Sequence, residues 1–161
     1  MIIINLYHTE EKDGKIYVRS AEETTCPICS SKLQVIGSRK RKSIETDGIQ
    51  KVYVIRRLRC AKCNMVHHEL PDLFVPYKRH CAETIEQVVS DETVGETLRQ
   101  TTVQRIKNWW DCVVWQFSHI KVSLEMKYDL RFPENLRPQN IIRALANSHS
   151  WIQTRSAYVS T

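Results

Sequence analysis

The sequence predicts an α+β fold: an N-terminal β-hairpin and a four-cysteine β-ribbon, followed by a helical region. Three observations carry this expectation. Two Cys-x-x-Cys pairs, Cys26-Pro27-Ile28-Cys29 and Cys60-Ala61-Lys62-Cys63, are separated by thirty residues. The segments before and between them are β-rich and reverse at Asp-Gly pairs. Further on, "TTVQRIKNWWDCVVWQF" sets Val103, Ile106, Trp110, Val113 and Phe117 at helical spacing.

Residues 1–20 read as the hairpin. "IIINLYH" and "KIYVRS" are strand-like, and Asp13-Gly14 lies in the turn between them. The opening apolar run has no basic segment before it and no small-residue cleavage site, so it reads as a strand rather than a leader. No stretch approaches the ~18 apolar residues that a membrane span requires. A cytoplasmic protein with no membrane partner is expected. In a reducing compartment the six cysteines point to metal ligands or buried thiols, not disulfides.

After a polar link at 21–25 comes the ribbon. Two residues between cysteines let one tight turn aim both sulfurs at one ion, and its amides stabilise thiolate charge. Two such knuckles, from Cys26, Cys29, Cys60 and Cys63, complete a tetrahedral structural Zn2+ site. A redox Cys-x-x-Cys needs only one pair, set in a βαβ unit. A catalytic zinc needs an open coordination position, which four cysteines close. His67 and His68, four and five residues past Cys63, are within reach of the metal as substitute ligands or are ordinary polar strand residues. Cys81 and Cys112 have no partner motif and are expected as small core residues.

Between the knuckles, "KLQVIGSRKRKSIE" runs out, Asp47-Gly48 turns, and "IQKVYVIRRLR" returns. About 45 residues of hairpin bury too little apolar surface to fold alone, so the metal is expected to supply the deficit. From Lys32 to Arg79 there are twelve Lys or Arg against four Asp or Glu, a net of +8 in a chain whose total is +6. Arg39, Lys40, Arg41, Lys42, Arg56, Arg57 and Arg59 become neighbours on the paired strands, with Lys78 and Arg79 just beyond. Crowded cations repel each other, and a polyanion relieves that repulsion.

The segment 76–124 is expected to be helical and helix-turn-helix-like. Pro71 and Pro76 bound an extended link whose Leu73, Phe74 and Val75 pack inward. One helix runs from about His80 to Val89 and a weaker one covers "ETVGETLRQ". The third is strong, with Thr101 and Gln104 as a capping box. Its exposed Gln104, Arg105, Lys107 and Asn108 are the residue types that read base edges and phosphates. Trp109, Trp110 and Trp115 are expected in the core. Residues 125–161 should be a proline-bearing loop over 131–139 and a short helix near Gln139–Asn147.

Taken together, "CPIC", the basic hairpin, "RLRCAKC", "HHELPDLFVPYKRHCAETIEQVV" and "TTVQRIKNWW" resemble the zinc-ribbon and helix-turn-helix heads of bacterial insertion-sequence transposases. They are similar, closer still, to small bacterial zinc-ribbon proteins of the same layout. The resemblance covers roughly residues 24–118. It implies zinc at the four cysteines and DNA as the partner. Asn64 follows the second knuckle where glycine is usual.

Strand transfer by such transposases needs three carboxylates on a large α/β domain, and after Cys112 only Glu125, Asp129 and Glu134 remain. The expectation is therefore not an enzyme but a zinc-dependent DNA-binding protein, an accessory factor of a mobile element or a transcriptional regulator. It would act beside a transposition or regulatory protein. A protein-interaction module with a structural zinc and an RNA-binding ribbon are the alternatives.

Overall fold

The structure, a computed structural model, describes residues 1–90 and 98–151. Strands fill the first half: β1 (Ile2–Ile4), β2 (Tyr7–Lys12), β3 (Lys15–Ser20), β4 (Leu33–Ile44), β5 (Gln50–Cys60) and β6 (Val66–Pro71). Helices follow: α1 (Ala82–Val89), α2 (Gln100–Tyr128) and α3 (Pro138–Asn147). The chain divides into two units, Met1–Thr84 and Ile85–Thr161, and α1 spans the junction.

In the first unit β5 is the axis. β4 lies antiparallel along one of its edges, from Leu33 opposite Cys60 to Ile44 opposite Gln50, with a bulge between Val35 and Gly37. The other edge is shared. β3 runs parallel to it at Tyr53 and Val54, and β6 runs antiparallel at Arg57–Arg59. Tyr53, Val54 and Ile55 are consecutive and so alternate between the two faces of the sheet, yet all three are buried, so the middle of β5 is covered on both faces. By period-two alternation Val52, Val54, Leu58 and Cys60 share one face of β5, and Tyr53 and Ile55 the other. The sheet buries residues from both sets.

β2 and β3 pair antiparallel around Asp13-Gly14, both at positive φ (52° and 66°), the twist that a two-residue turn needs. The expected single N-terminal hairpin differs at its start. Ile2–Ile4 separate from it and pair parallel with Glu69–Pro71 of β6. Three consecutive isoleucines have no polar face to show to solvent, and all three are buried. Past β6, Phe74 and Val75 are buried, and Phe74 meets Tyr53 edge-on at 5.0 Å.

In the second unit α2 has 29 residues and is unbroken through positions 124 and 125, where a boundary was expected. The expected capping box is not formed. The helix starts at Gln100, its N-cap Arg99 makes no side-chain cap bond, and Gln104 donates to Asn108 instead (2.7 Å). It ends at Asp129 in left-handed conformation, whose N–H returns to the Glu125 carbonyl. Val113, Phe117 and Leu124 of α2 form a core with Ile141 and Leu145 of α3. Trp109 and Trp110 are partly buried against it, whereas Trp115 is exposed. Pro138 opens α3, where a missing N–H costs nothing. The helix expected over "ETVGETLRQ" lies mostly outside the described residues, and with it the turn of a helix-turn-helix.

Candidate metal centre and its cationic hairpin

The two knuckles are built alike. In the first, the Ser30 N–H donates to the Cys26 carbonyl (2.8 Å) and the Cys26 N–H to the Ser31 carbonyl (2.9 Å). In the second, the Asn64 N–H donates to the Cys60 carbonyl (3.1 Å) and the Cys60 N–H to the Met65 carbonyl (2.9 Å). Each turn closes on a left-handed residue, Ser30 at φ 56° and Asn64 at φ 57°. Asparagine adopts this region more readily than most residues, so the second turn does not depart from the first. The Lys62 and Cys63 amides both point at the Cys60 sulfur, at 3.4 Å.

β4 and β5 bring the knuckles together through the Leu33–Cys60 pairing. The four sulfurs all lie within 4.8 Å of one another, with Cys26–Cys63 at 3.6 Å and Cys29–Cys60 at 3.4 Å. A tetrahedral four-thiolate ion with ~2.3 Å bonds has edges of about 3.8 Å. These separations match that figure and are far from the ~2.05 Å of a disulfide. All four are free cysteines. The donor set fits a thiophilic metal ion with a closed shell.

Electrostatics point the same way. The Cys29 thiol is pulled down to about 6, first by hydrogen bonds from Ser31 and then by the Cys60 and Cys26 thiols. The Cys63 thiol is pushed the other way, to about 12. The Met65 amide lowers it, but burial and the neighbouring cysteines outweigh that. Four thiols this close cannot all ionise without a cation among them.

His67 is buried, not a residue of an exposed strand. Its Nε2 lies 3.5 Å from the Cys26 sulfur. The four sulfurs cluster without it, and it stands behind the Cys26 thiol. His68 pairs with Arg57 on the adjoining strand, and its pKa is lowered by burial and then by Arg39, the N-terminus, Arg57 and Arg41.

The hairpin's cations divide into two sets. Arg39, Lys40, Lys42, Arg57 and Arg59 are exposed, and so is Arg79 beyond it. Arg56 is committed inward: its guanidinium donates twice to the buried Glu69 carboxylate, at 2.6 and 2.9 Å. Arg41 donates to the Val75 and Lys78 carbonyls (3.0 and 3.1 Å) and covers the Phe74 ring. Lys78 is half-buried, and burial lowers its pKa to about 8. In the second unit Gln104, Arg105 and Asn108 are exposed on the first turns of α2, and Lys107 is half-buried. Cys81 is buried and bonds Thr84, but Cys112, expected in the core, is exposed.

Sequence reading passed over Glu69 and the supporting place of His67. The alternation along "VHHELP" sets His67 and Glu69 on one face of β6, the polar pair a strand would show to solvent, so the sequence carried no signal of their burial.

Fold and site thus define an α+β protein with a four-cysteine centre able to hold a metal ion. The chain belongs to the family described as a domain of unknown function, DUF6431, whose profile matches residues 26–109, from the first cysteine of the cluster into α2. No curated protein and no solved structure matches it. Among the described residues, no helix is long and apolar enough to cross a membrane.

Proposed function

We propose that this chain is a zinc-scaffolded nucleic-acid-binding protein, with duplex DNA as its target and no catalytic step of its own. The observation that carries the reading is that five of the seven cations expected on the hairpin surface, Arg39, Lys40, Lys42, Arg57 and Arg59, are exposed on strands rooted in the cysteine cluster. Zinc is the ion that a closed four-thiolate shell selects in a structural site. The exposed hairpin cations contact phosphates, and the exposed Gln104, Arg105 and Asn108 of α2 are the candidates for base contacts. The resemblance to transposase heads favours an accessory factor of a mobile element or a transcriptional regulator.

The test is a titration of the zinc-loaded chain against random-sequence duplex at several salt concentrations, with a chelated sample and a structured-RNA competitor alongside. Tight binding that weakens steeply with salt and disappears on chelation is expected. No binding at low salt by the folded, metal-loaded chain rejects the reading. Preferential capture by the RNA moves the target to RNA.

A further inference from the structure

α2 has two apolar faces. One is buried: Ile106, Val113, Phe117 and Leu124. The other is Cys112, Trp115, Val122 and Met126, with His119 among them, every one of them exposed. Trp115, Val122 and Met126 are 65%, 63% and 80% exposed, unusual values for such side chains. At 3.6 residues per turn this second stripe lies about 160° round the helix from the buried one. A helix apolar on one side needs one partner; one apolar on two sides needs two.

The spacing suits another helix as the second partner. The steps between these residues are three, four, three and four, a repeat of 3.5 that keeps a stripe facing another helix of the same repeat. We propose that α2 pairs through this stripe with α2 of a second copy of the chain, as a short two-stranded coiled coil.

Charge and area agree. The flanking positions 111, 116, 118, 123 and 125 hold Asp, Gln, Ser, Ser and Glu, with no Lys or Arg. A polyanion finds nothing to grip there, while two copies meet without opposed cations. The stripe is about 22 Å long at 1.5 Å per residue. With a tryptophan as its largest side chain it offers on the order of 550 Å² a side, so the pair buries about 1,100 Å², above the ~1,000 Å² that a specific interface needs. The Trp115 and His119 rings, 4.1 Å apart, already form one platform on this face.

Sedimentation equilibrium of the full, metal-loaded chain tests this. Expected is a dimer that Val122→Glu with Met126→Glu converts to monomer with the helical far-UV signal retained. Trp115→Gln, a milder change, should raise the dissociation constant at least tenfold. Val114→Glu, exposed but off the stripe, should leave the dimer intact. A chain that stays monomeric up to about 100 µM overturns the proposal. So does a dimer that survives the double substitution, or one lost equally in Val114→Glu. Nucleic-acid binding is not read in this experiment, so its outcome is independent of the function proposed above.

Discussion

Two arginines three positions apart on β5 have opposite roles. Arg56 is bidentate to a carboxylate that is buried, whereas Arg59 is exposed. Removing Arg56 leaves the Glu69 charge without its partner. Because the arginine is itself a third exposed, the loss is discounted to about 2–3 kcal/mol. Arg56→Ala should therefore lower the urea midpoint clearly, while Arg59→Ala leaves it unchanged and weakens nucleic-acid binding. The reverse pattern would show that the two roles are misassigned. Tyr7 gives a second test. Its hydroxyl donates to Asp72 at 3.1 Å, and burial, then the Asp72 charge, raise its pKa to about 12. The unfolded phenol titrates near ~10. The stability from this bond is complete below that pH and is lost as pH rises through the folded value. Tyr7→Phe should cost about 1 kcal/mol at neutral pH, and the deficit should shrink above ~10. A deficit independent of pH would mean the hydroxyl contributes nothing through Asp72.

At the scale of elements, the knuckle turns and the hairpin depend on each other. The knuckles supply the ligands, and the β4–β5 register sets the distance between them. Asn64 at φ 57° is the residue where a side chain can break the turn. Asn64→Gly should be neutral or slightly stabilising, and Asn64→Val should cost about 1–2 kcal/mol and lower metal affinity. Competition with a chromophoric chelator measures this, and equal affinity in both variants would remove the turn from the argument. Removing the metal acts on the whole element. Chelation, or Cys60→Ser, should collapse the strand signal and expose Tyr53 to solvent, because the hairpin loses the clamp at its root. A native near-UV spectrum in the fully chelated chain would show that the sheet stands without metal.

For the whole molecule, charge is the property that matters most. The net +8 between Lys32 and Arg79 sits in a chain of +6 overall, so the remainder is slightly acidic. Phosphate contacts should thus concentrate on the ribbon side of the sequence, and binding should be strongly ionic. Replacing Arg39, Lys40, Lys42 or Arg57 singly by Ala should each lower the salt slope by about 1 and weaken all duplexes alike. Arg105→Ala should instead relax preference among sequences once a selected site is known. Equal effects from both kinds of variant would take α2 out of the reading role.

The sequence by itself determined those features whose cause is local. Cys-x-x-Cys fixes a turn, Asp13-Gly14 fixes a reversal, and the 3.6 period around Val113 and Phe117 fixes a buried helix face. Each follows from a few adjacent residues, so each was legible in one dimension. The tertiary structure alone decided whatever depends on which strand lies beside which. It sent Ile2–Ile4 to β6, placed Glu69 under Arg56 and His67 behind Cys26, and turned Arg41 onto Phe74. Two of the seven cations expected on the hairpin surface were thereby withdrawn from it, and Trp115 and Cys112 were left exposed. A side chain's charge is written in the sequence, but whether solvent or a buried partner receives it is set by residues far along the chain.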